Sequence, residues 1–396
     1  MDLDKGGTDT GRRDLRRGEW SSIKGPWSHA VARREPDPGA PCCDPGSWAQ
    51  PYLTDRLRQD ITGRPGIRPG YAPDGWTTLV DHLHRQGVTD HELLTAGVAT
   101  TASTGQLIDR FRDRVVFPIT HDGQILGFVG RRNPAYTDND QHGPRYLNTP
   151  DTPLFHKGDQ LYIAGDTEQA KAVLVEGPMD AIAVALARGG THCGAAPLGT
   201  SLTDTQARQL AELGPEPILA TDADPAGRNA AERDYWMLAP LLTGPLQAVL
   251  PDSTDPADLL STGRDGALAA AIAEAKPMAE GMVESCLSRG TEATGLLSST
   301  HVFAASAPSQ WVAGTVEIAL RTGMPAALVQ MVLASAIMAW NKDPQRAATT
   351  WRTDNHHHQP AKTHEDSGST TSTHARAEEF TQRRAAQVGD NPVVHR

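Results

Sequence analysis

Residues 172–187 read AVLVEGPMDAIAVALA, and residues 218–238 read ILATDADPAGRNAAERDYWML. Each opens on a short apolar run, passes acidic residues and enters a helical pattern through a proline, Pro178 or Pro225. Proline suits the first turn of a helix, where the missing N–H had no partner to lose. Between the two, 193–200 (CGAAPLGT) predicts a strand. Residues 203–214 (TDTQARQLAELG) predict a helix opened by the capping-box pair Thr203 and Gln206. A further strand is expected at 246–252 (LQAVLPD). Strands alternating with helices of this length form βαβ units, so the fold class is α/β, with a parallel sheet covered on both faces.

Upstream, 76–98 predicts a pair of short helices, with Thr89 and Glu92 at capping-box spacing and Gly87 and Gly97 as stops. Residues 114–132 (RVVFPITHDGQILGFVGRR) read as a β-hairpin turning at Asp122-Gly123. A mostly irregular stretch, 144–165, ends in a short strand. Downstream, 255–287 reads as helical, and 311–340 as two helices broken at Gly323-Met324-Pro325. The expected organisation is a largely disordered arm (1–65), a small α+β subdomain (66–165), the α/β domain (166–262), a helical region (263–343) and a disordered tail (344–396).

Composition narrows the function classes. The chain has 396 residues, a formal net charge of -11, and 38 % apolar residues. No run approaches the ~18 apolar residues of a membrane span, and the N-terminus has no apolar signal region, so a cytoplasmic location is expected. The acidic balance argues against coating nucleic acid by bulk charge but leaves room for a local basic groove. The Arg pairs of the arm (Arg12, Arg13, Arg16, Arg17, Arg33, Arg34) read first as a solvated leader. Four cysteines, Cys42, Cys43, Cys193 and Cys286, form neither a disulfide framework nor zinc-ribbon spacing, so no zinc is expected. The tract His356, His357, His358 reads as part of a solvated tail. His82, His84 and His156 read as surface or groove residues rather than ligands.

The chemistry lies in the carboxylates. Glu176 falls where the first parallel strand ends, and Asp222 and Asp224 where the third ends. Residues i and i+2 of an extended segment point to the same side, and neighbouring strands lie ~4.8 Å apart. Ligands of open α/β sheets bind outside the carboxyl ends of strands. Carboxylates this close repel unless a cation binds them, and an all-oxygen set favours Mg²⁺ or Mn²⁺. Such an ion bridges protein to phosphate, so a metal–phosphate site is expected.

These same segments resemble the TOPRIM domain of bacterial (DnaG-type) DNA primases. VLVEGPMDAIAVAL, LGTSLTDTQARQL and ILATDADPAGRNAAERDYWML follow one another in the family's order. Residues 71–98, 109–132 and 144–162 are similar to the N-terminal half of that family's RNA polymerase core, and DPADLL to its downstream end. The resemblance covers roughly residues 66–285. It implies Glu176 as catalytic glutamate, Asp180 as second acid of that motif, and Asp222 and Asp224 as the metal-binding pair. Asp255 and Asp258 become accessory acids, with Ala257 standing where an Asp is usual. It implies a basic groove of Arg112, Arg114, Arg131, Arg145, Tyr146 and Lys157. Arg145 replaces the family's frequent Lys and keeps the charge while adding a phosphate fork. The implied activity is primer synthesis: a nucleotidyltransferase joining NTPs on a single-stranded DNA template with Mg²⁺ or Mn²⁺. A TOPRIM nuclease and a non-catalytic replication-accessory protein of a mobile element are the alternatives. The family's zinc-binding cysteine pattern is absent, so relaxed start-site choice, or a partner that recognises the template, is expected. The family's C-terminal domain binds a replicative helicase, but the helices at 310–340 carry no motif of it and read first as a generic small helical module.

Overall fold

Every residue of Ala172-Val173-Leu174-Val175 is buried. Val173 and Val175 face one core, and Ala172 and Leu174 face another. Alternate side chains of a strand point to opposite faces, so an unbroken apolar run belongs to a strand covered on both sides. This strand is central to the fold. In the computed structural model, residues 47–357 are described, apart from 62, 63, 65, 138–141, 169, 223, 243, 290 and 291.

The chain opens on helix α1 (Ala49–Leu57). An antiparallel four-stranded sheet follows, in the order β1 (Gly70–Ala72), β4 (Arg114–His121), β5 (Gln124–Arg132), β6 (Tyr146–Asn148). Helices α2 (Thr78–His84) and α3 (Asp90–Thr95) and the small hairpin β2 (Ala99–Thr101)/β3 (Leu107–Asp109) interrupt it. The expected hairpin is β4–β5. Asp122 and Gly123 take φ of 49° and 70°, the left-handed pair a two-residue turn requires. The Thr89–Glu92 capping box forms at α3.

The six-stranded sheet comprises β7 (Leu161–Ala164), β8 (Lys171–Leu174), β9 (His192–Pro197), β10 (Ile218–Leu219), β11 (Leu246–Gln247) and β12 (Lys276–Pro277), in the order β12-β11-β10-β8-β9-β7. The centre, β11-β10-β8-β9, is parallel as predicted; β7 and β12 pair antiparallel at the edges. The sheet therefore reaches beyond the expected span 166–262 at both ends. Helices α4 (Pro178–Ala187), α5 (Asp204–Glu212) and α6 (Pro225–Leu238) connect the parallel strands. From β8 the chain moves to β9 on one side, then crosses back to β10 on the other. The β8/β10 boundary is thus the topological switch point, where a crevice opens at the carboxyl ends of the strands.

Helices α7 (Pro256–Ser261), α8 (Asp265–Ala273), α9 (Met278–Arg289), α10 (Glu292–Ala305), α11 (Trp311–Thr322), α12 (Ala326–Lys342) and α13 (Pro344–His357) complete the described chain. The break between α11 and α12 falls where Gly323 and Pro325 predicted it, with Gly323 at φ 69°. The stretch 255–287 is not continuously helical, because β12 inserts between α8 and α9. Among the described residues, no helix is long and apolar enough to cross a membrane.

Two expectations of disorder are corrected. Helix α1 lies inside the expected arm 1–65, and Ala49, Leu53 and Leu57 are buried in the core that also holds Val173 and Val175. A nine-residue helix with Pro51 before its two leucines and Thr, Asp and Arg between them carries too short an apolar stripe to stand out in sequence. Helix α13 begins the expected tail 344–396. Trp351 stacks on His301 at 4.2 Å and on Trp340 at 5.5 Å, and meets Trp236 of α6 edge-on at 5.8 Å. Its apolar contacts come from one tryptophan and two alanines (Ala347 and Ala348), so composition hid it. The arm's Arg pairs, Cys42 and Cys43, the tail from 358 on, and the side chains of the His356–His358 tract lie outside the described residues.

Helix α4 lies directly on β9. A Cβ on Gly194 would stand 2.1 Å from the carbonyl oxygen of Ala181. Gly194→Ala is expected to lower the melting temperature, with a cost of about 1–3 kcal/mol or more from forced backbone separation. Thermal unfolding by circular dichroism checks this, and an unchanged melting point would contradict the close approach.

Candidate active site

The carboxylates gather at the switch point because β8 and β10 are neighbours, with Val173 opposite Ile218 and Leu174 opposite Leu219. Two residues beyond β8 comes exposed Glu176; three beyond β10 comes half-buried Asp222. The Asp222 backbone N–H donates to Glu176 Oε1 at 3.2 Å. Asp224 is the N-cap of α6 and accepts from the Gly227 N–H at 2.7 Å. Gly227 has no substitute here, since a Cβ would stand 2.1 Å from the Asp222 carbonyl oxygen. The tight turn that aims this acidic pair thus depends on a glycine one turn into the helix.

Asp180, in the first turn of α4, accepts from the Ala257 N–H at 3.2 Å. That contact brings in α7, whose N-cap is Asp255. Arg56 of α1 completes the group. It donates to Asp255 at 3.3 Å, to Asp258 and to Ser261 Oγ at 3.3 Å. Sequence reading missed Arg56 because it lies in the stretch taken for a disordered arm. The Leu53/Leu57 spacing around it was the available signal. The accessory acids Asp255 and Asp258 are therefore paired with a cation.

The field is strongly negative. Burial, then Glu176, Asp255, Asp224 and Asp258, push the Asp222 carboxyl up to about 7. Burial and Asp255 push Asp180 well above the carboxylate range, against the opposing pull of Arg56. Such acids lack enough positive charge around them and suit a hard divalent cation. Glu176, Asp222 and Asp224 are the all-oxygen donors at the mouth. Among the described residues, no three metal-ligating side chains draw together about one point.

Of the basic set, Arg145 and Lys157 are exposed and Arg112 is half-buried. Arg112 donates to the Asp109 carbonyl at 2.7 Å and lies 4.1 Å over the exposed Trp76 ring. Arg131 is 8 % exposed; its Nε donates to Tyr52 Oη at 2.5 Å, its guanidinium lies 5.2 Å from the Tyr146 ring, and Nη1 is buried without a partner. The Arg145 guanidinium lies 5.8 Å from the centre of the same Tyr146 ring. Burial raises the Tyr146 hydroxyl to about 12, Asp180 adds to the rise, and Arg131 and Arg145 oppose it. Tyr146 thus joins the basic row to the acidic one. Arg114 is a correction. It is 2 % exposed and donates to the carbonyls of Gly130 at 3.1 Å and His142 at 2.6 Å. Its charge supports β5 and the loop after it and cannot reach a ligand. Both faces of β4 are covered at this end, Arg114 and Val115 alike being buried, whereas sequence alone counted the charge.

The described residues combine a basic row on an antiparallel lobe with carboxylates at the switch point of a parallel sheet, charges that suit phosphate and a hard cation. The family comparisons narrow this. The DNA primase catalytic core, N-terminal domain, matches residues 44–168, and the Toprim-like family matches residues 173–260. The DNA primase of Pseudomonas aeruginosa is 36 % identical over 250 residues, which cover 60 % of this chain and 36 % of that protein. The chain thus spans well under half the length of the curated relatives it matches. A crystal structure of a Pseudomonas aeruginosa primase domain superposes with a TM-score of 0.62 at 28 % identity, covering 79 % of this chain and 99 % of that one. A DnaG primase catalytic domain bound to ssDNA gives 0.63 at 27 % identity, covering 79 % and 100 %. The chain thus has the fold of a DNA primase catalytic core with a Toprim-like domain.

Because the Asp222 proton is held more tightly in the folded state than at the ordinary 3.8, its contribution favours folding at low pH. That contribution is lost as pH rises through about 7. Without divalent metal, Asp222→Asn is expected to melt above the wild type at pH 8. The gap should close by pH 4 and narrow at pH 8 when Mg²⁺ is added. Melting curves across this range check it; an Asn variant no more stable than wild type at pH 8 would contradict the reading.

Proposed function

We propose that this chain synthesises short RNA primers on single-stranded DNA by metal-dependent nucleotidyl transfer. One observation carries the reading: Glu176 and Asp222 meet at the switch point, and the Arg131–Tyr146–Arg145 row lies within electrostatic reach of Asp180. The likeness of residues 44–168 to the primase core supports it over a Toprim nuclease, which would share only the carboxylates. The solved ssDNA complex of a similar catalytic domain supports a single-stranded template. Residues 66–165 supply the groove and residues 166–262 the chemistry.

Glu176, Asp222 and Asp224 are the residues that would hold a divalent ion such as Mg²⁺. The ion, when bound, lowers the pKa of the attacking 3′-hydroxyl and neutralises charge at the α-phosphate. The remaining work belongs to the chain. Asp224, locked as an N-cap, cannot swing away from the mouth. Arg56 absorbs the charge of Asp255 and Asp258 behind the site, so the uncompensated negative potential is concentrated at its front. Arg145 and Lys157 take phosphate oxygens, and Arg131 Nη1 supplies a desolvated donor beside the Tyr146 ring that Arg145 also faces. A replicative helicase or a template-recognition partner fits this activity.

The test is primer synthesis by the purified chain on single-stranded DNA with labelled NTPs and Mg²⁺. Asp222→Ala is expected to cut product formation by about 10²-fold or more while DNA binding persists. Activity near wild type in that variant would end the mechanism, and shortening of the labelled DNA would replace it with a nuclease. A separate titration addresses the groove. Arg145→Ala and Lys157→Ala should each weaken single-stranded DNA binding across sequences and reduce the salt slope by about one. An unchanged slope in both removes them from the phosphate path.

A further inference from the structure

Lys157 sits in the loop between Phe155 and β7, followed at once by Gly158, so little in the local sequence restrains it. The loop's backbone is instead held by side chains from one face of α5. Thr203 Oγ1 donates to the Gly158 carbonyl at 2.5 Å. The Gln206 amide donates to the Lys157 carbonyl at 3.0 Å and the Gln160 carbonyl at 2.8 Å. Gln209 Oε1 accepts from the Leu161 N–H at 2.7 Å. Thr203, Gln206 and Gln209 stand at i, i+3 and i+6, neighbours on a helical surface.

Gln206 is 1 % exposed, and its amide is fully used. Its Oε1 accepts from the Thr203 N–H at 3.1 Å and closes the capping box. A cap needs only that acceptor, so the paired donors to the loop are additional. The segment is tied down on other sides as well. The Leu198 carbonyl accepts from Asn148 Nδ2 of β6 at 2.7 Å, and the Leu202 N–H is bonded to buried Asp234 of α6. The same helix α6 begins at Asp224.

We propose that Gln206, with Thr203 and Gln209, is a positioning residue that fixes where Lys157 stands for phosphate binding. This rests on the phosphate-binding role given above to Lys157. A lysine is a compact point charge on a long, freely rotating stem, so its usefulness depends on how well its backbone is placed. The clamp lies in the first turns of the helix after β9, and so ties the Lys157 loop to the sheet that carries the carboxylates.

Gln206→Glu keeps the capping acceptor and removes both donors to the loop. Gln206→Met removes the cap as well. In both, hydrogen exchange by mass spectrometry should speed up in the peptide spanning 155–161. In primer synthesis, both should raise the KM for NTPs by about tenfold with kcat within about twofold, since the carboxylates are untouched. Single-stranded DNA binding, measured separately, tells whether Lys157 serves the nucleotide or the template: a weakened DNA Kd with unchanged KM assigns it to the template. A Gln206→Glu variant matching wild type in exchange, KM and DNA Kd overturns the proposal, because the cap alone then explains Gln206. So does a loss confined to kcat. If the wild type makes no primers, the function proposed above fails. The clamp is then judged on exchange and on binding of a fluorescent nucleoside triphosphate, where unchanged values overturn it.

Discussion

Negative charge crowded at the carboxyl edge of the six-stranded sheet is the constraint around which the other parts are arranged. Carboxylates at this density repel, and burial of Asp222 and Asp180 makes the repulsion worse. The fold holds them there with backbone N–H groups and one guanidinium. Gly227, Ala257, Asp258 and Asp222 each turn a backbone N–H toward a carboxylate. Arg56 reaches across from α1 to the far side of the cluster. Helix starts are therefore functional parts here: α6 and α7 both begin on an acid that caps its own helix.

The same constraint explains why the two sheets share a core. Leu53 and Leu57 of α1, Val115 and Phe117 of β4, and Ile182 and Val184 of α4 belong to one buried cluster. Helix α1 has to pack there for Arg56 to reach Asp255. Asp113 steadies the surrounding region, accepting from Tyr71 Oη at 2.7 Å and Asn133 Nδ2 at 2.8 Å, and from Trp48 Nε1. Burial alone would raise an acid's pKa, yet these donors bring Asp113 below its ordinary value. Opposite outcomes at Asp113 and Asp222 follow from opposite surroundings, donors in one case and like charges in the other.

The opposite face of the six-stranded sheet is covered by α5, α6 and the C-terminal helices, where Trp236, Trp340, Trp351 and His301 stack. The burial that this provides falls on α6, the helix that starts at Asp224. The element that aims the acidic pair is thus anchored along its length by aromatic contacts rather than by its own propensity, which suits a helix carrying Gly227 and Asn229 near its start.

Much of this was legible along the chain. The alternation of apolar runs and proline-led helices predicted the parallel centre, Asp122-Gly123 predicted the hairpin, and Thr89, Glu92, Thr203 and Gln206 predicted their capping boxes, because each signal acts within a few residues. Glu176, Asp222 and Asp224 could be placed at strand ends for the same reason. Whether those ends adjoin is a matter of strand order, and that is long-range: β10 pairs with β8 rather than β9 only because the chain crosses back over the sheet. Long-range too are the inward turn of Arg114, the pairing of Arg56 with acids some two hundred residues away, and the second use of Gln206 as a clamp. Local pattern determined which elements form and which residue types could do chemistry. Tertiary packing decided which charges are neutralised, which are buried and which remain free to bind, because desolvation and Coulomb interaction depend on distance in space and not along the chain.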